Sequence, residues 1–221
     1  MSGKLSTREI SSSDCTECHR LARFLREMRR SYSSYHNRPV ESFGKIGSRL
    51  LIVGLAPGMH GANATGRPFT GDHAGLLLYR TLYKYGFSDF PESKSATDTL
   101  KLVDCRITNA VRCLPPKNKP KLSEVKNCQK FLLQELVEIP SGGLVVALGK
   151  VAHDAVIRTL GLKICNYLFS HGGEHVLPSR NVKLLDSYHC SRYNTQTGRL
   201  TEKMFGDIFK KAAVIMKVQA Q

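Results

Sequence analysis

Residues 50–72 read LLIVGLAPGMHGANATGRPFTGD, an apolar run over 50–55 that passes directly into a long glycine-rich turn ending at Asp72. An unbroken apolar run of this length predicts a strand buried on both faces, as strands of parallel sheets are. A helical pattern over 73–85 follows, so the stretch reads strand, turn, helix. Three more apolar runs, over 103–110, 144–148 and 182–185, alternate with helical patterns over 123–137, 150–160 and 201–218. That alternation predicts an α/β protein: a three-layer α/β/α fold around a central, mainly parallel four-stranded sheet.

Upstream, Leu21, Phe24, Leu25 and Met28 recur at helical spacing among arginines, which predicts an amphipathic helix over 18–32. Residues 88–99 and 170–180, rich in Ser, Pro, Gly or charge, read as loops, and no repeat or low-complexity tract interrupts the pattern. The 221 residues are expected to form a single domain, residues 1–14 being a disordered start.

With 33 basic against 18 acidic residues the net charge is +15, which favours a polyanionic partner without naming it. No stretch approaches the roughly 18 consecutive apolar residues of a membrane span, and the first residues lack the apolar core of a signal peptide. A cytoplasmic protein without a membrane partner, acting as a monomer, is expected. Seven cysteines in such a chain point to metal ligation or buried thiols rather than to disulfides. Cys15 and Cys18 form a CxxC, and Cys113 and Cys128 lie far downstream; by spacing alone, zinc and an iron-sulfur cluster are both open.

In open α/β sheets ligands bind beyond the carboxyl ends of the strands. The turn over 54–72 is neither a P-loop nor a GxGxxG fingerprint. Its glycines still let backbone N–H groups approach a flat or anionic ligand, and Phe69 adds an aromatic face. The run over 103–110 ends at Asn109, whose amide can both donate to and accept from one edge of a base. The run over 182–185 is followed by a polar loop, 189–199, suited to phosphate and groove contacts. Asp72, immediately before a helical pattern, is a natural N-cap, and His189 a strand-end histidine.

Taken together, GLAPG with the HG after it, TGRPFTGD, TNAVRC and YHCSRYNTQTGRLT resemble the uracil-DNA glycosylase superfamily, specifically its iron-sulfur members of type B, the fifth family. The resemblance runs from about Cys15 to Phe205 and takes in the RPV and FG of 38–44. It implies a DNA repair glycosylase that flips uracil, and other deaminated bases such as hypoxanthine, out of double-stranded DNA and hydrolyses the N-glycosidic bond. A four-cysteine [4Fe-4S] cluster on Cys15, Cys18, Cys113 and Cys128 is implied with it.

By the same resemblance Asp72 directs the attacking water, His189 donates to uracil O2 and Asn109 reads the Watson–Crick edge. Phe69 stacks on the base, in a pocket shared by Gly54, Ala56, Gly58, His60 and Asn63. Ser191, Arg192, Tyr193 and Asn194 contact DNA. The chain departs from the family pattern at two places, both in the loop after His189, and is set apart from the related fourth family at Leu55. Leu55 stands where the fourth family has a water-polarising glutamate, which shifts that task to Asp72. Cys190 and Tyr193 replace a common proline and glutamine, which loosens the loop and supplies, in Tyr193, a ring able to stack on or wedge into the opened duplex, leaving the intercalating residue open. No motif places a lysine as Schiff-base nucleophile, so an abasic site without strand cleavage is expected. The rival readings are a non-catalytic iron-sulfur DNA-binding protein and a zinc-stabilised RNA- or nucleotide-binding module.

Overall fold

A computed structural model describes residues 13–178 and 181–217. The disorder expected over 1–14 lies, for residues 1–12, outside the described residues. The four apolar runs form strands β2 (Leu50–Gly54), β3 (Cys105–Asn109), β4 (Leu144–Leu148) and β6 (Lys183–Ser187), adjacent and parallel in the order β3-β2-β4-β6.

The sheet has six strands rather than four. β1 (Phe43–Gly44) pairs antiparallel with β3 at one edge, and β5 (Glu174–Val176) antiparallel with β6 at the other. The second of these lies inside the expected loop over 170–180. Both additions are two or three residues long, too short to show a period, and their partners are distant in sequence except across the β5–β6 turn. Gly44 is required where it stands: φ is +111° and an added Cβ would meet the Cys105 carbonyl oxygen at 2.3 Å.

The residues of β2 are divided between two apolar layers. Leu50 and Ile52 pack with Leu78, Tyr79, Phe205 and Phe209 from helices α3 (His73–Lys84) and α7 (Glu202–Met216). Leu51 and Val53 face the other layer, with Leu21 and Leu25 of α1 (His19–Ser31), Phe131 and Leu132 of α4 (Leu122–Glu138) and Val156 of α5 (Lys150–Thr159). Burying both faces explains why these strands read as continuous apolar runs. Among the described residues no helix is long and apolar enough to cross a membrane.

From β2 the chain moves to β3 on one side and then to β4 on the other. The reversal opens a crevice at the carboxyl end of β2, between Asn109 and Leu148, the place where such sheets bind ligands.

Candidate active site

A cavity of about 520 Å³ occupies this crevice. Leu55, Ala56 and Gly58 line it after β2, Asn109 after β3, and His189, Ser191, Arg192 and Asn194 after β6; Phe69 and Asp72 close it from the turn. The expected residues of three strand ends therefore meet in one place.

Close approach between them rests on glycine. A Cβ on Gly54 would lie 2.4 Å from Asn109 Oδ1 and 2.6 Å from Phe69 Cζ, so Gly54 is the floor on which both side chains rest. Phe69 is 6 % exposed and holds φ +54°, a conformation that costs a bulky residue energy and is kept where the surroundings impose it. Gly75 makes room for it, because a Cβ there would collide with the Phe69 carbonyl oxygen at 1.7 Å.

Asp72 both caps and faces the cavity. Its Oδ1 accepts from the Gly75 N–H at 2.9 Å and caps α3. Its Oδ2 lies against Gly58 and Gly61, where an added Cβ would stand 3.2 and 2.4 Å away. One oxygen thus satisfies the helix and leaves the other against the glycine turn that borders the cavity.

His189 lies over Phe69, ring centroids 5.9 Å apart and planes 27° from parallel. Burial holds its pKa below the ordinary value against the opposing pull of the Asp72 charge, so the imidazole is neutral at pH 7. The Asn194 amide donates to the His189 carbonyl at 2.8 Å and fixes the backbone that carries the ring. Ser191 caps the short helix α6 (Arg192–Gln196), on which Tyr193 is 71 % exposed.

Three expected pocket residues stand outside the cavity lining: Gly54, which lies beneath Asn109 and Phe69, His60 and Asn63. His60 is exposed, accepts or donates at 3.0 Å with the Tyr35 hydroxyl, and borders the adjoining cleft together with Asp72 and Arg192. Asn63 is buried and donates to Asn37 Oδ1 at 2.8 Å, which ties the turn to the segment after α1. Sequence reading missed Gly149, Lys150, Phe169, Tyr188 and Arg199, all of which line the cavity. Gly149 and Lys150 follow β4 directly and the strand-end rule would have found them. Tyr188, directly after β6, answers to the same rule, whereas Phe169 and Arg199 arrive by packing, Arg199 lying 4.8 Å over the Tyr188 ring.

The four expected ligand cysteines meet between α1 and α4. Cys113 and Cys128 are buried, Cys15 and Cys18 partly so, against one apolar layer. Burial, and then the charges of the other three, push the Cys113 thiol above its ordinary pKa; burial raises Cys128 to about 11. Arg20 joins the two helices through a bidentate pair with Glu124, at 2.7 Å to each oxygen. Asn127 donates toward Cys18 Sγ at 3.4 Å. Among the described residues the group of metal-ligating side chains gathered within 4.8 Å is a different one, His153, His175 and Asp186; the cysteine sulfurs are spaced more widely.

Comparison with known proteins agrees with the geometry. The profile of the Uracil DNA glycosylase superfamily matches residues 41–213. A Type-5 uracil-DNA glycosylase of Thermus thermophilus is 44 % identical over 203 residues, covering 90 % of this chain and 92 % of that protein. Those of Pyrobaculum aerophilum and Mycobacterium leprae are 40 % and 42 % identical, each over 90 % of this chain and 88 % and 90 % of their own lengths.

Proposed function

The chain belongs to the uracil DNA glycosylase superfamily, and from that premise we propose that it is a monofunctional uracil-DNA glycosylase, a hydrolase that leaves an abasic site. The observation that carries this is the meeting of Phe69, Asp72, Asn109 and His189 in one crevice at the reversal of strand order.

In this reading the duplex is held by its phosphates and the lesion is turned out of the stack into the cavity. The Phe69 and His189 centroids are 5.9 Å apart. A base between two rings needs about twice the 3.4 Å stacking distance. The base therefore lies on Phe69 beside His189, which meets it edge-on. Among the described residues nothing hydrogen-bonds to the Asn109 amide or the His189 ring, so both are available to the base. A neutral His189 donates its N–H toward O2, where charge collects as the C1′–N1 bond breaks. Asp72 Oδ2 orients a water whose oxygen bonds to C1′ and whose proton it accepts. Lys150 reaches the cavity rim but is held by Asp154 at 2.7 Å, which supports hydrolysis over Schiff-base chemistry.

The cysteines support a [4Fe-4S] cluster on Cys15, Cys18, Cys113 and Cys128. A single zinc with 2.3 Å bonds would draw its sulfurs to about 3.8 Å from one another, closer than a multi-iron cluster needs. Such a cluster would join the N-terminal helix to α4 and the basic stretch over 112–130 and hold a DNA-facing surface. The enzyme acts as a monomeric single domain on double-stranded DNA, on uracil and on other deaminated bases including hypoxanthine.

Incubation with a duplex bearing one uracil, followed by alkali, should cut the strand at the uracil. An intact strand at stoichiometric enzyme overturns the assignment.

A further inference from the structure

His153, Asp186 and His175 lie outside the catalytic constellation, on α5, β6 and β5. His153 and Asp186 are wholly buried and the His175 side chain is 15 % exposed. His153 Nδ1 stands 2.8 Å from Asp186 Oδ1 and its Nε2 2.8 Å from the Tyr167 carbonyl oxygen. His175 Nε2 donates to the second carboxylate oxygen at 3.2 Å.

These distances suit a proton better than a metal. Two ligands of a tetrahedral ion with bonds of 2.0–2.1 Å stand about 3.3 Å apart. The 2.8 Å between His153 Nδ1 and Asp186 Oδ1 is a hydrogen-bond length. A carbonyl oxygen only accepts, so Nε2 carries a hydrogen; an ionised carboxylate only accepts, so Nδ1 carries one too. The ring is then an imidazolium facing a carboxylate. Burial alone would lower its pKa, but the Asp186 hydrogen bond and charge, with the Tyr167 carbonyl, hold it above the ordinary 6.5. The other charged and titratable groups facing it are His175 and, on its own helix, Asp154, which is paired with Lys150.

This ion pair lies behind the cavity wall. Phe169, which lines the cavity, packs its ring 5.7 Å from His153 and 6.1 Å from Tyr188, also a lining residue. The segment between Tyr167 and Gly173 is tied to His153 at one end. At the other end Gly172 N–H donates to the Asp186 carbonyl, and Asp186 N–H to that of Gly173, both at 2.9 Å. Between them His171 Nδ1 accepts from Tyr188 N–H at 3.1 Å.

We propose that His153 is a positioning residue: a buried imidazolium, locked to Asp186, that clamps the Tyr167–Gly173 segment to the end of β6 and so sets the Phe169–Tyr188 wall of the base pocket. The proposal rests on the reading of the cavity as that pocket. Deprotonation would put a bare Nδ1 against a carboxylate, and the clamp would fail. Because the folded pKa is raised, the clamp is complete below pH 6.5 and is lost as pH rises through the folded value.

Long-range proton–nitrogen NMR spectra of the full chain should show both His153 ring nitrogens protonated at pH 6.5, with Nδ1 losing its hydrogen only at higher pH; a neutral ring at pH 6.5 overturns the proposal. KM for a uracil-bearing duplex should climb about tenfold through that titration, the scale of one hydrogen bond to a charged group, and by more than kcat falls. His153→Asn, which keeps a donor toward Asp186 but cannot ionise, should flatten the KM profile. A KM that ignores the wild-type titration overturns the clamp even if the variant does not fold. An imidazolium in a protein that excises no uracil would instead overturn the pocket reading beneath it.

Discussion

Asp72 caps a helix and, in the proposed reaction, also directs water, two roles that sequence alone sets against each other. Its Oδ1 caps α3 through Gly75 N–H, and its Oδ2 is left free of the helix, against Gly58 and Gly61. The roles separate by substitution. Asp72→Asn keeps an oxygen for the cap and loses the carboxylate, so excision should fall by about 10²–10⁴ in single-turnover assays. Its melting temperature should barely change. Asp72→Ala should match that loss of rate and also lose about 1 kcal/mol of stability in denaturant unfolding, the worth of an N-cap. Equal stability of the two variants would show that the cap contributes nothing. His189 gives a second prediction. Its pKa lies below the ordinary value through burial, so the donor is neutral across the physiological range. At saturating duplex and in the His153→Asn background, which removes the titration of the clamp, the single-turnover rate should therefore show no loss from histidine deprotonation between about pH 7 and 8, and a fall there with the ordinary His pKa would contradict a neutral donor.

Among the elements, the four central strands were legible because each is buried on both faces, as the all-buried Leu50–Gly54 and Leu144–Leu148 show. β1 and β5 were not, since each is only two or three residues long, and Gly44 is a strand residue only because Cys105 and Arg106 accept its close approach. The site divides the same way. Asn109, Asp72 and His189 follow strands or precede a helix, so position along the chain marked them. Phe169 enters on the Tyr167–Gly173 segment, which a periodicity argument reads only as loop, and packs against Tyr188, the residue directly after β6. The contact between α1 and α4 depends on chemistry of the same non-local kind. Glu124 is 4 % exposed; burial would raise its pKa, but the bidentate Arg20 contact and the Lys121 N–H bring it below the ordinary 4.5. Arg20→Ala should cost about 1–3 kcal/mol by leaving a buried carboxylate short of its partner. A depressed folded pKa means that the stabilisation is complete above pH 4.5 and lost as pH falls through the folded value. The wild type should accordingly lose stability on acidification faster than Arg20→Ala, as measured by chemical unfolding at pH 6 and pH 4.

At the scale of the whole molecule, the charge of +15 and the cavity answer different questions. The charge acts on phosphates at any sequence, whereas the cavity acts on one extruded base. Arg192 stands at the boundary, exposed on α6 and lining the cavity within three residues of His189. If it holds a phosphate, Arg192→Ala should weaken binding to uracil-bearing and intact duplexes by the same factor. The slope of log affinity against log salt should then shrink by about 1. If it instead contacts the base, only the uracil duplex should bind more weakly and the slope should stay the same. Titrations of both duplexes at several salt concentrations separate the two. The phosphate role is expected, because in the proposed reading Asn109, Phe69 and His189 hold the base, while Arg192 is exposed at the start of α6. A single-strand slope would be shallower, about 0.7 per phosphate against about 0.9 for the duplex. The same titration on single-stranded uracil DNA therefore counts the contacts that the second strand supplies.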